Sequence, residues 1–217
     1  MSKRSAKYPV IAIDGPAAAG KGTLARQLAE VLELPYLDTG LLYRAVARRV
    51  LDRGGDPAHD GPEQARQLVP EDMRRNDLRE PEVDQAASIV ARHPEVRAAL
   101  LERQRHFGRA RGAVVDGRDI GTVVFPDAPA KFFITASPEV RAQRRYEQRH
   151  GQPCTDPTRL AEEVAAINTR DEQDAARAAA PLRPAEDAVM VVTDDLDAAG
   201  VLEHVCQILQ EKGIIRR

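Results

Sequence analysis

Cysteine is scarce in this chain of 217 residues, and its two copies stand far apart. Neither Cys154 nor Cys206 belongs to a C-x-x-C pair, and no His-x-His cluster lies beside them. This pattern supports neither a disulfide framework nor a structural zinc site. We therefore expect a reduced compartment, and the cytoplasm in particular.

Long hydrophobic runs are also missing. No window approaches the roughly 18 apolar residues that a membrane-spanning helix requires. The basic residues at the start of the chain lead into a short strand-like run that is broken at Asp14, rather than into the apolar stretch of a signal peptide. We expect no membrane partner.

A strong excess of charge of either sign is absent as well. The chain has 32 lysines and arginines against 34 aspartates and glutamates, so its formal net charge is −2. This balance argues against a nucleic-acid partner, for which a strongly basic face is typical. Only five of the 32 basic residues are lysines, which leaves 27 arginines. Codon bias in a GC-rich genome explains such an excess, but so do local arginine clusters that bind phosphate, because the guanidinium group binds oxyanions with two hydrogen bonds.

Short apolar runs alternate with segments of helical pattern along the chain. We predict strands at residues 8–14, 36–37, 113–115, 131–135 and 189–193. Strands that alternate with helices indicate an α/β fold with a doubly wound sheet, here of five parallel strands. The length fits one domain over residues 1–217.

Two excursions from this core are predicted. Residues 40–111 contain no convincing strand and form a helical insertion, with helices near residues 41–53, 83–92 and 94–109. A polar loop at residues 149–158 joins two arginine-rich helices and is predicted to be a short lid. Insertions of this kind on a compact core often carry substrate binding.

A glycine-rich segment directly follows the first predicted strand and opens the first predicted helix. This is the context in which a phosphate-binding loop is expected. Small residues let successive backbone N–H groups converge on phosphate oxygens, and the helix N-terminus adds its positive dipole. The pattern departs from G-x-x-x-x-G-K-[ST], because Gly22 holds the place of the hydroxyl residue and Thr23 comes one position later. The predicted loop for nucleotide phosphates comprises Gly15, Pro16, Ala17, Ala18, Ala19, Gly20, Lys21, Gly22 and Thr23.

The G-K-G-T ending of this loop resembles that of the nucleoside-monophosphate kinases, and three further segments resemble one family among them, the bacterial cytidylate kinases. The segment from Asp38 to Arg44 looks like that family's D-[ST]-G-x-x-Y-R. The segment from Asp116 to Pro129 is close to its D-G-R-D-[IM]-G-T-V-V-F-P-D-A, and the segment from Arg170 to Leu182 is similar to its R-D-x-x-D-x-x-R…PL. Together the matches run from residue 10 to about residue 195. The resemblance implies the P-loop kinase fold, with residues 40–111 as the insertion that binds the nucleoside monophosphate.

One segment departs from the family pattern. Typical members carry a small antiparallel sheet in the insertion, whereas the stretch from Val69 to Val83 is too short and too charged to supply it. Ser88 and the segment 94–97 still match the downstream pattern S-x-x-A-x-x-P-x-V-R. We therefore expect the binding residues to be retained in an insertion of different shape.

The resemblance implies transfer of the γ-phosphoryl group of ATP to CMP or dCMP. With a second pKa near about 6, the acceptor phosphate is already largely dianionic at pH 7, so no general base is required. The protein must position two highly anionic ligands and cancel their charge, which arginines can do. The catalytic residues that the resemblance implies are Lys21, Arg118 and Arg170.

The acceptor site follows from the same resemblance. Arg44, Arg118 and Arg170 would hold the acceptor phosphate, while Asp174 takes the ribose hydroxyls with support from Arg177. The spacing of Arg170, Asp174 and Arg177 places all three on one helix face. An ordinary exposed salt bridge within a helix is the alternative explanation of that spacing.

Cytosine presents an amino donor beside two acceptors, which match a carboxylate and a guanidinium group. By resemblance, Asp119, Arg97 and Ser88 fill these roles, and Thr39 belongs to the same CMP-binding set. Uracil has a carbonyl where cytosine has the amino group, so Asp119 would face an acceptor and UMP would be disfavoured.

Four arginines lie at helical spacing beside the predicted lid: Arg141, Arg144, Arg145 and Arg149. They form either a solvated basic face or part of a lid that brings one or two of them onto the ATP phosphates and excludes water. Arg144 and Arg145 are our candidates for ATP binding. Mg²⁺ is the expected cofactor, with Asp116 and Thr23 as candidates to orient it through water.

Two other functions stay open. The first is a P-loop kinase for another small acceptor, such as AMP or UMP. The second is a nucleotide-dependent switch, although the chain has no N-K-x-D guanine motif and a switch would leave the acceptor-site arginines without a purpose. We expect a monomer that binds only the small molecules ATP and CMP or dCMP.

Overall fold

A computed structural model of the chain describes residues 9–177 and 180–215, so residue 8 of the first predicted strand lies outside it. The strands are β1 (Val10–Asp14), β2 (Tyr36–Asp38), β3 (Ala113–Gly117), β4 (Ala130–Thr135) and β5 (Val189–Val192). The α-helices are α1 (Lys21–Val31), α2 (Thr39–Asp52), α3 (Gly61–Arg66), α4 (Pro81–Val90), α5 (Pro94–Arg111), α6 (Pro138–His150), α7 (Pro157–Ala175) and α8 (Ala198–Glu211). A 3₁₀-helix spans Pro70–Arg74, and a single π-helical turn spans Ile120–Val124.

The five strands form one sheet in the order β2-β3-β1-β4-β5. β1 lies between β3 and β4 and pairs parallel to both, with Ile11 opposite Val114 on one side and Ala130 on the other. β4 pairs parallel with β5. The predicted α/β fold with a five-stranded parallel sheet is therefore confirmed.

No helix in the described parts of the chain is long and apolar enough to cross a membrane.

The chain divides into two compact units, which we call the sheet unit (Met1–Tyr36 and Arg111–Arg217) and the helical unit (Leu37–Ala110). The boundary falls within β2. The helical unit covers nearly the same residues as the predicted insertion 40–111.

The core of the sheet unit is built on β1 and β4, which are buried on both faces, as parallel strands usually are. Ile13 and Phe132 are fully buried there, and Leu24 and Leu28 of α1 and Leu209 of α8 pack into the same cluster. Burial of such side chains contributes roughly 1.5–3 kcal/mol each. This core fixes the carboxyl ends of β1, β3 and β4, from which the sequence motifs emerge.

The helical unit has its own core, which joins Val46 and Val50 of α2 to Val83 and Val90 of α4 and to Leu100 of α5. The helices predicted near residues 41–53, 83–92 and 94–109 correspond to α2, α4 and α5. α3 was not predicted, because its sequence is short and polar and only Pro62 and Ala65 are apolar. No strand is formed between residues 69 and 83, which carry the 3₁₀-helix, so the expected loss of the small antiparallel sheet is confirmed.

One prediction about helix α7 is wrong. The helix ends at Ala175, so Arg177 does not continue the face that carries Arg170 and Asp174. The Leu182 N–H donates to the Asp174 carbonyl at 2.9 Å. Asp174 and Arg177 still form an ion pair, three residues apart in the chain.

Candidate functional site

The glycine-rich loop begins where β1 ends, and its first residue can only be glycine. Gly15 has φ of +145°, and a Cβ atom there would lie 2.0 Å from the Ile134 carbonyl oxygen of β4. Such a contact with backbone cannot be relieved by a rotamer change. Gly20 closes the loop with φ of +88° and is the N-cap of α1. The loop therefore has the backbone path that only small residues permit.

Three carbonyl oxygens of the loop are bound by side chains. Lys21 Nζ donates to Pro16 O at 2.6 Å. Arg141 Nη1 donates to Ala17 O at 3.3 Å. The single proton of the Thr193 hydroxyl is shared between Ala19 O at 3.4 Å and Thr135 O at 3.3 Å. Because these carbonyls already have donors, the backbone N–H groups are what the loop can offer to an anion.

A cavity of about 550 Å³ opens beside the loop within the sheet unit. Three segments line it: Ala18, Ala19, Gly20, Thr23 and Leu24 from the loop and α1; Arg144, Glu147 and Gln148 from α6; and Thr193, Leu196, Asp197, Ala198 and Val201 near α8. Its size is that of a small-molecule site.

The structure distinguishes among the four arginines beside the predicted lid. Arg144 lines the cavity and is held there by two hydrogen bonds to Thr193, at 2.8 Å and 2.7 Å. Arg141 is buried, and Arg145 is half-buried on the same helix. Arg149 is exposed and pairs with Glu163 of α7. Of the two predicted ATP ligands, Arg144 is the one at the cavity wall.

Asp14 is a buried carboxylate that the sequence analysis did not select. It ends β1, and its two oxygens accept hydrogen bonds from the backbone N–H groups of Ile120 and Gly121, both at 2.7 Å. Burial raises the pKa of Asp14 to about 6, and the two N–H bonds only partly oppose this effect. Asp14 thereby holds the start of the π-helical turn, directly after Arg118 and Asp119. The signal in the sequence was an acidic residue at the end of an otherwise apolar strand.

Asp116, the candidate for orienting Mg²⁺, ends up beside the phosphate loop. Its carboxylate lies 3.6 Å from the place that a Cβ atom of Gly22 would occupy, and it accepts a long hydrogen bond of 3.4 Å from the Tyr36 hydroxyl. Thr23 is exposed and lines the cavity. Among the described residues, no group of three or more acidic, histidine or cysteine side chains could hold a metal ion. Nucleotide-bound Mg²⁺ takes only about one or two carboxylates besides phosphates and waters, so the oxygen donors present fit it.

Arg118 and Arg177 form a cluster around the buried carboxylate of Asp174 in the sheet unit. Arg118 Nε donates to one oxygen of Asp174 at 3.0 Å, and Arg177 pairs with the other oxygen. Asp174 is only 2% exposed. Its carboxylate thus orients two arginines at once, and the predicted members of the acceptor site from α7 and β3 are brought together. Arg170, also predicted for this site, lies one turn before Asp174 on α7 and is half-buried. Asp119 is buried next to Arg118 in the chain.

The four predicted site residues of the helical unit lie on three helices. Arg44 on α2 forms an ion pair of 2.8 Å with Asp84 on α4. Ser88, one turn after Asp84, donates to the Asp84 carbonyl at 3.2 Å. Thr39 is buried at the start of α2, where Asp38 caps the helix by accepting from the Leu41 N–H.

Arg97 is held in the same unit by two contacts. Its guanidinium carbon lies 5.7 Å from the centre of the Tyr43 ring, a cation–π distance. Its Nη1 donates to the Ala91 carbonyl at 3.3 Å. Tyr43 precedes Arg44 on α2, so the unit brings Arg97 near the helix that carries the predicted phosphate ligand.

A buried parallel strand, a glycine-rich turn and a helix that opens on lysine define a protein of the P-loop class, which binds nucleotide phosphates. A family model described as cytidylate kinase matches residues 11–211. The chain belongs to the cytidylate kinase family, and the predicted resemblance and enzyme class are confirmed.

Individual relatives agree with the family model. The cytidylate kinase of Granulibacter bethesdensis is 58% identical over 206 residues, which cover 94% of this chain and 97% of that protein. The cytidylate kinase of Acidiphilium cryptum is 61% identical over 194 residues, covering 87% of this chain and 89% of that protein. Among solved structures, an uncharacterized protein from Eubacterium ventriosum is similar in fold, with a TM-score of 0.55 at 14% identity over 93% of this chain and 98% of that one.

Proposed function

We propose that this chain transfers the γ-phosphoryl group of ATP to CMP or dCMP, giving ADP and CDP or dCDP. The observation that carries the proposal is the phosphate loop, whose carbonyls are tied by Lys21, Arg141 and Thr193 and whose helix begins at the lysine. Membership of the cytidylate kinase family supports CMP or dCMP as the acceptor.

ATP is proposed to bind in the cavity of the sheet unit. The loop from Gly15 to Thr23 donates backbone N–H groups to the phosphates, and Lys21 exchanges its bond to Pro16 for a phosphate oxygen. Arg144 at the cavity wall contributes positive charge where ATP enters. Arg145 stays a prediction as a second ATP ligand.

The acceptor phosphate is proposed to be bound by arginines whose orientation is fixed beforehand. In the sheet unit, Asp174 holds Arg118 and Arg177, so Arg118 can meet charge on the transferred phosphoryl group without reorganising. Arg170 joins it from α7. Each Asp174 oxygen has a second lone pair, which leaves acceptors for ribose hydroxyls.

The helical unit is proposed to recognise CMP with Arg44, Ser88, Arg97 and Thr39. Arg44 would bind phosphate in exchange for Asp84, and Arg97 is preset by the Tyr43 ring. Asp119 of the sheet unit is the carboxylate proposed to accept from the cytosine amino group. Its burial makes it costly to leave unpaired, which gives discrimination against uracil.

Mg²⁺ is proposed to be bound to the nucleotide and oriented through water by Asp116 and Thr23. When bound, it supplies positive charge that neutralises the phosphate oxygens. The protein's own part is to keep the Asp116 carboxylate beside Gly22, where the Tyr36 hydroxyl donates to it.

The proposal is tested by steady-state phosphotransfer from ATP to CMP, dCMP, UMP and AMP. We expect the highest kcat/KM with CMP or dCMP. A preference for AMP or UMP would assign the chain to a kinase for another acceptor, and ATP turnover that CMP does not stimulate would favour the nucleotide switch. The cytoplasmic location and the monomeric state stay predictions, the latter to be measured by sedimentation.

A further inference from the structure

Arg141 is the most completely buried arginine of helix α6, at 4% exposure. All three of its guanidinium nitrogens have partners. Nε donates to Ala136 O at 3.0 Å, Nη1 donates to Ala17 O at 3.3 Å, and Nη2 contacts Asp171 Oδ2 at 2.6 Å. Because the guanidinium group is planar and all three of its nitrogens are bound, it holds three neighbouring groups in a fixed arrangement, which the single ammonium group of a lysine could not do.

The partners of Arg141 belong to two different parts of the proposed site. Ala17 is in the middle of the phosphate loop, whereas Asp171 lies on α7 between Arg170 and Asp174. Asp171 is the second residue of the R-D-x-x-D-x-x-R segment, and the proposed function gives it no task. One side chain thus connects the loop proposed for ATP to the helix proposed for the acceptor.

We propose that Arg141 and Asp171 are a positioning pair that couples the binding of ATP to the binding of CMP. ATP on the loop fixes the Ala17 carbonyl, which fixes Arg141 and, through Asp171, the helix that carries Arg170 and Asp174. Because such coupling is reciprocal, CMP must strengthen ATP binding by the same factor. The proposal rests on the proposed function, since it takes α7 as part of the acceptor site.

Simple packing of α6 on α7 does not account for this pair. The same two helices are already joined by Arg149 and Glu163 on the exposed side, and that pair does not reach the loop. A buried ion pair is also weak evidence for stability, because the cost of removing the charges from water offsets their attraction. What Arg141 has in addition is the bond to Ala17.

The two ion pairs between the same helices provide a matched experiment. Asp171→Asn and Glu163→Gln each remove one carboxylate charge, but only the first weakens the charge-assisted contact that ties the loop to α7. The dissociation constant of CMP is measured by calorimetry with and without the β,γ-imido analogue of ATP and Mg²⁺. The ratio of the two constants is the coupling factor.

We expect wild type and Glu163→Gln to share a coupling factor of about 5 or more. Asp171→Asn is expected to bring this factor close to 1 while it changes the affinity for the ATP analogue alone less than about twofold. Arg141→Lys should also bring the coupling factor close to 1, and the double variant should lose no more coupling than either single one. A merely structural role would weaken both ligands equally and leave the ratio unchanged.

Two results overturn the proposal: a wild-type coupling factor of 1, or a factor in Asp171→Asn equal to that of Glu163→Gln. If Asp171→Asn does not fold, Asp171→Glu keeps the charge and displaces it by one methylene group, and the same ratio decides. Failure of the proposed function is seen separately, because wild type would then not phosphorylate CMP. A wild type that phosphorylates CMP and an unchanged ratio in the variant would refute the coupling alone.

Discussion

The sheet unit and the helical unit both contain many arginines, and one group of arginine ion pairs in each unit shows a difference in burial. In the sheet unit, Arg118 and Arg177 both pair with the buried Asp174. Each guanidinium nitrogen of Arg141 also has a partner. In the helical unit, Arg48 pairs with carboxylates that are more exposed, Asp52 at 37% and Glu82 at 61%. The first arrangement fixes the direction of a charge, whereas the second contributes modestly to folding.

The exposed network of the helical unit occupies the region where a small sheet was missing. Arg48 pairs with Asp52 and Glu82, and Arg75 pairs with Asp52 and Asp77. These pairs connect α2 with the start of α4 and the segment before it. The arginine excess therefore has a third explanation besides codon bias and phosphate binding: arginine ion pairs join segments of this unit.

The largest effect is expected at Lys21, whose positive charge lies at the phosphate loop of the sheet unit. Lys21→Met should lower kcat about 10²–10³-fold, because it removes a positive charge from the phosphate site without removing a buried ion pair. Lys131 is the control, since it is a second buried lysine that donates to a proline carbonyl, that of Pro126. It also pairs with Asp187, so Lys131→Met should lower the melting temperature and leave the kcat of the folded enzyme nearly unchanged. Equal losses of kcat in the two variants would show that Lys21 has no special part in the reaction.

A second test compares the pH dependence of carboxylates in the two units. Burial raises the pKa of Asp14 from 3.8 to about 6, so its contribution to the free energy of unfolding is fully present below pH 4 and is lost as pH rises through 6. The shift corresponds to at most about 3 kcal/mol. The free energy of unfolding of wild type exceeds that of Asp14→Asn by an amount that should therefore fall by up to about 3 kcal/mol between pH 4 and pH 7. Urea unfolding at each pH measures this difference.

Asp77 of the helical unit gives the matched control with the opposite sign. Its hydrogen bond with Arg75 lowers the pKa of the Asp77 carboxyl, so the stability it contributes is present above pH 4 and is lost as pH falls further. The difference in free energy of unfolding between wild type and Asp77→Asn should therefore decrease as the pH is lowered below 4. A pH-independent difference for Asp14→Asn would mean that the two N–H bonds from the π-helical turn offset the effect of burial.

The sequence predicted the elements whose signals are local. β1, the loop and α1 follow one another as an apolar run, a glycine-rich turn and an amphipathic segment, and the structure places them within a few residues of the predicted bounds. α3 has no such signal, because its stability comes from burying Ala65 against a core formed by other helices. Near the end of α7, the Leu182 N–H donates to the Asp174 carbonyl, a contact that a spacing rule cannot predict.

The same limit applies to the candidate site: residues in local motifs were predicted, whereas roles that depend on distant partners were not. Motif residues such as Lys21, Arg118 and Asp174 were identified because they lie in recognisable segments. Asp14 and Arg141 act through partners 106 and 124 residues away in the chain, so their tasks emerge only when the strands are assembled. Arg141 was predicted as one of four equivalent arginines, and burial is what separates it from the exposed Arg149.

Asp119 tests whether a buried carboxylate of the sheet unit selects the base. Asp119→Asn should reduce the preference for CMP over UMP, measured as the ratio of kcat/KM values, by about 5–150-fold, which corresponds to about 1–3 kcal/mol. Asp127→Asn is the control, because Asp127 lies in the same motif but is exposed. Equal selectivity in Asp119→Asn and the parent would remove Asp119 from the base site, and the same loss in both variants would point to a general effect of charge.

The smallest effect is expected in the exposed network of the helical unit. A double-mutant cycle of Arg48→Met and Glu82→Gln, measured by urea unfolding, should give a coupling energy of about 0.3–1 kcal/mol, because Glu82 remains largely in solvent. Addition of 1 M NaCl should reduce this energy further, since the screening length falls to about 3 Å. The Arg118 and Asp174 pair, with its carboxylate buried, should show a larger energy that salt changes little. If the two cycles gave the same energy and the same salt response, the burial of the carboxylate would not be what distinguishes these two ion pairs.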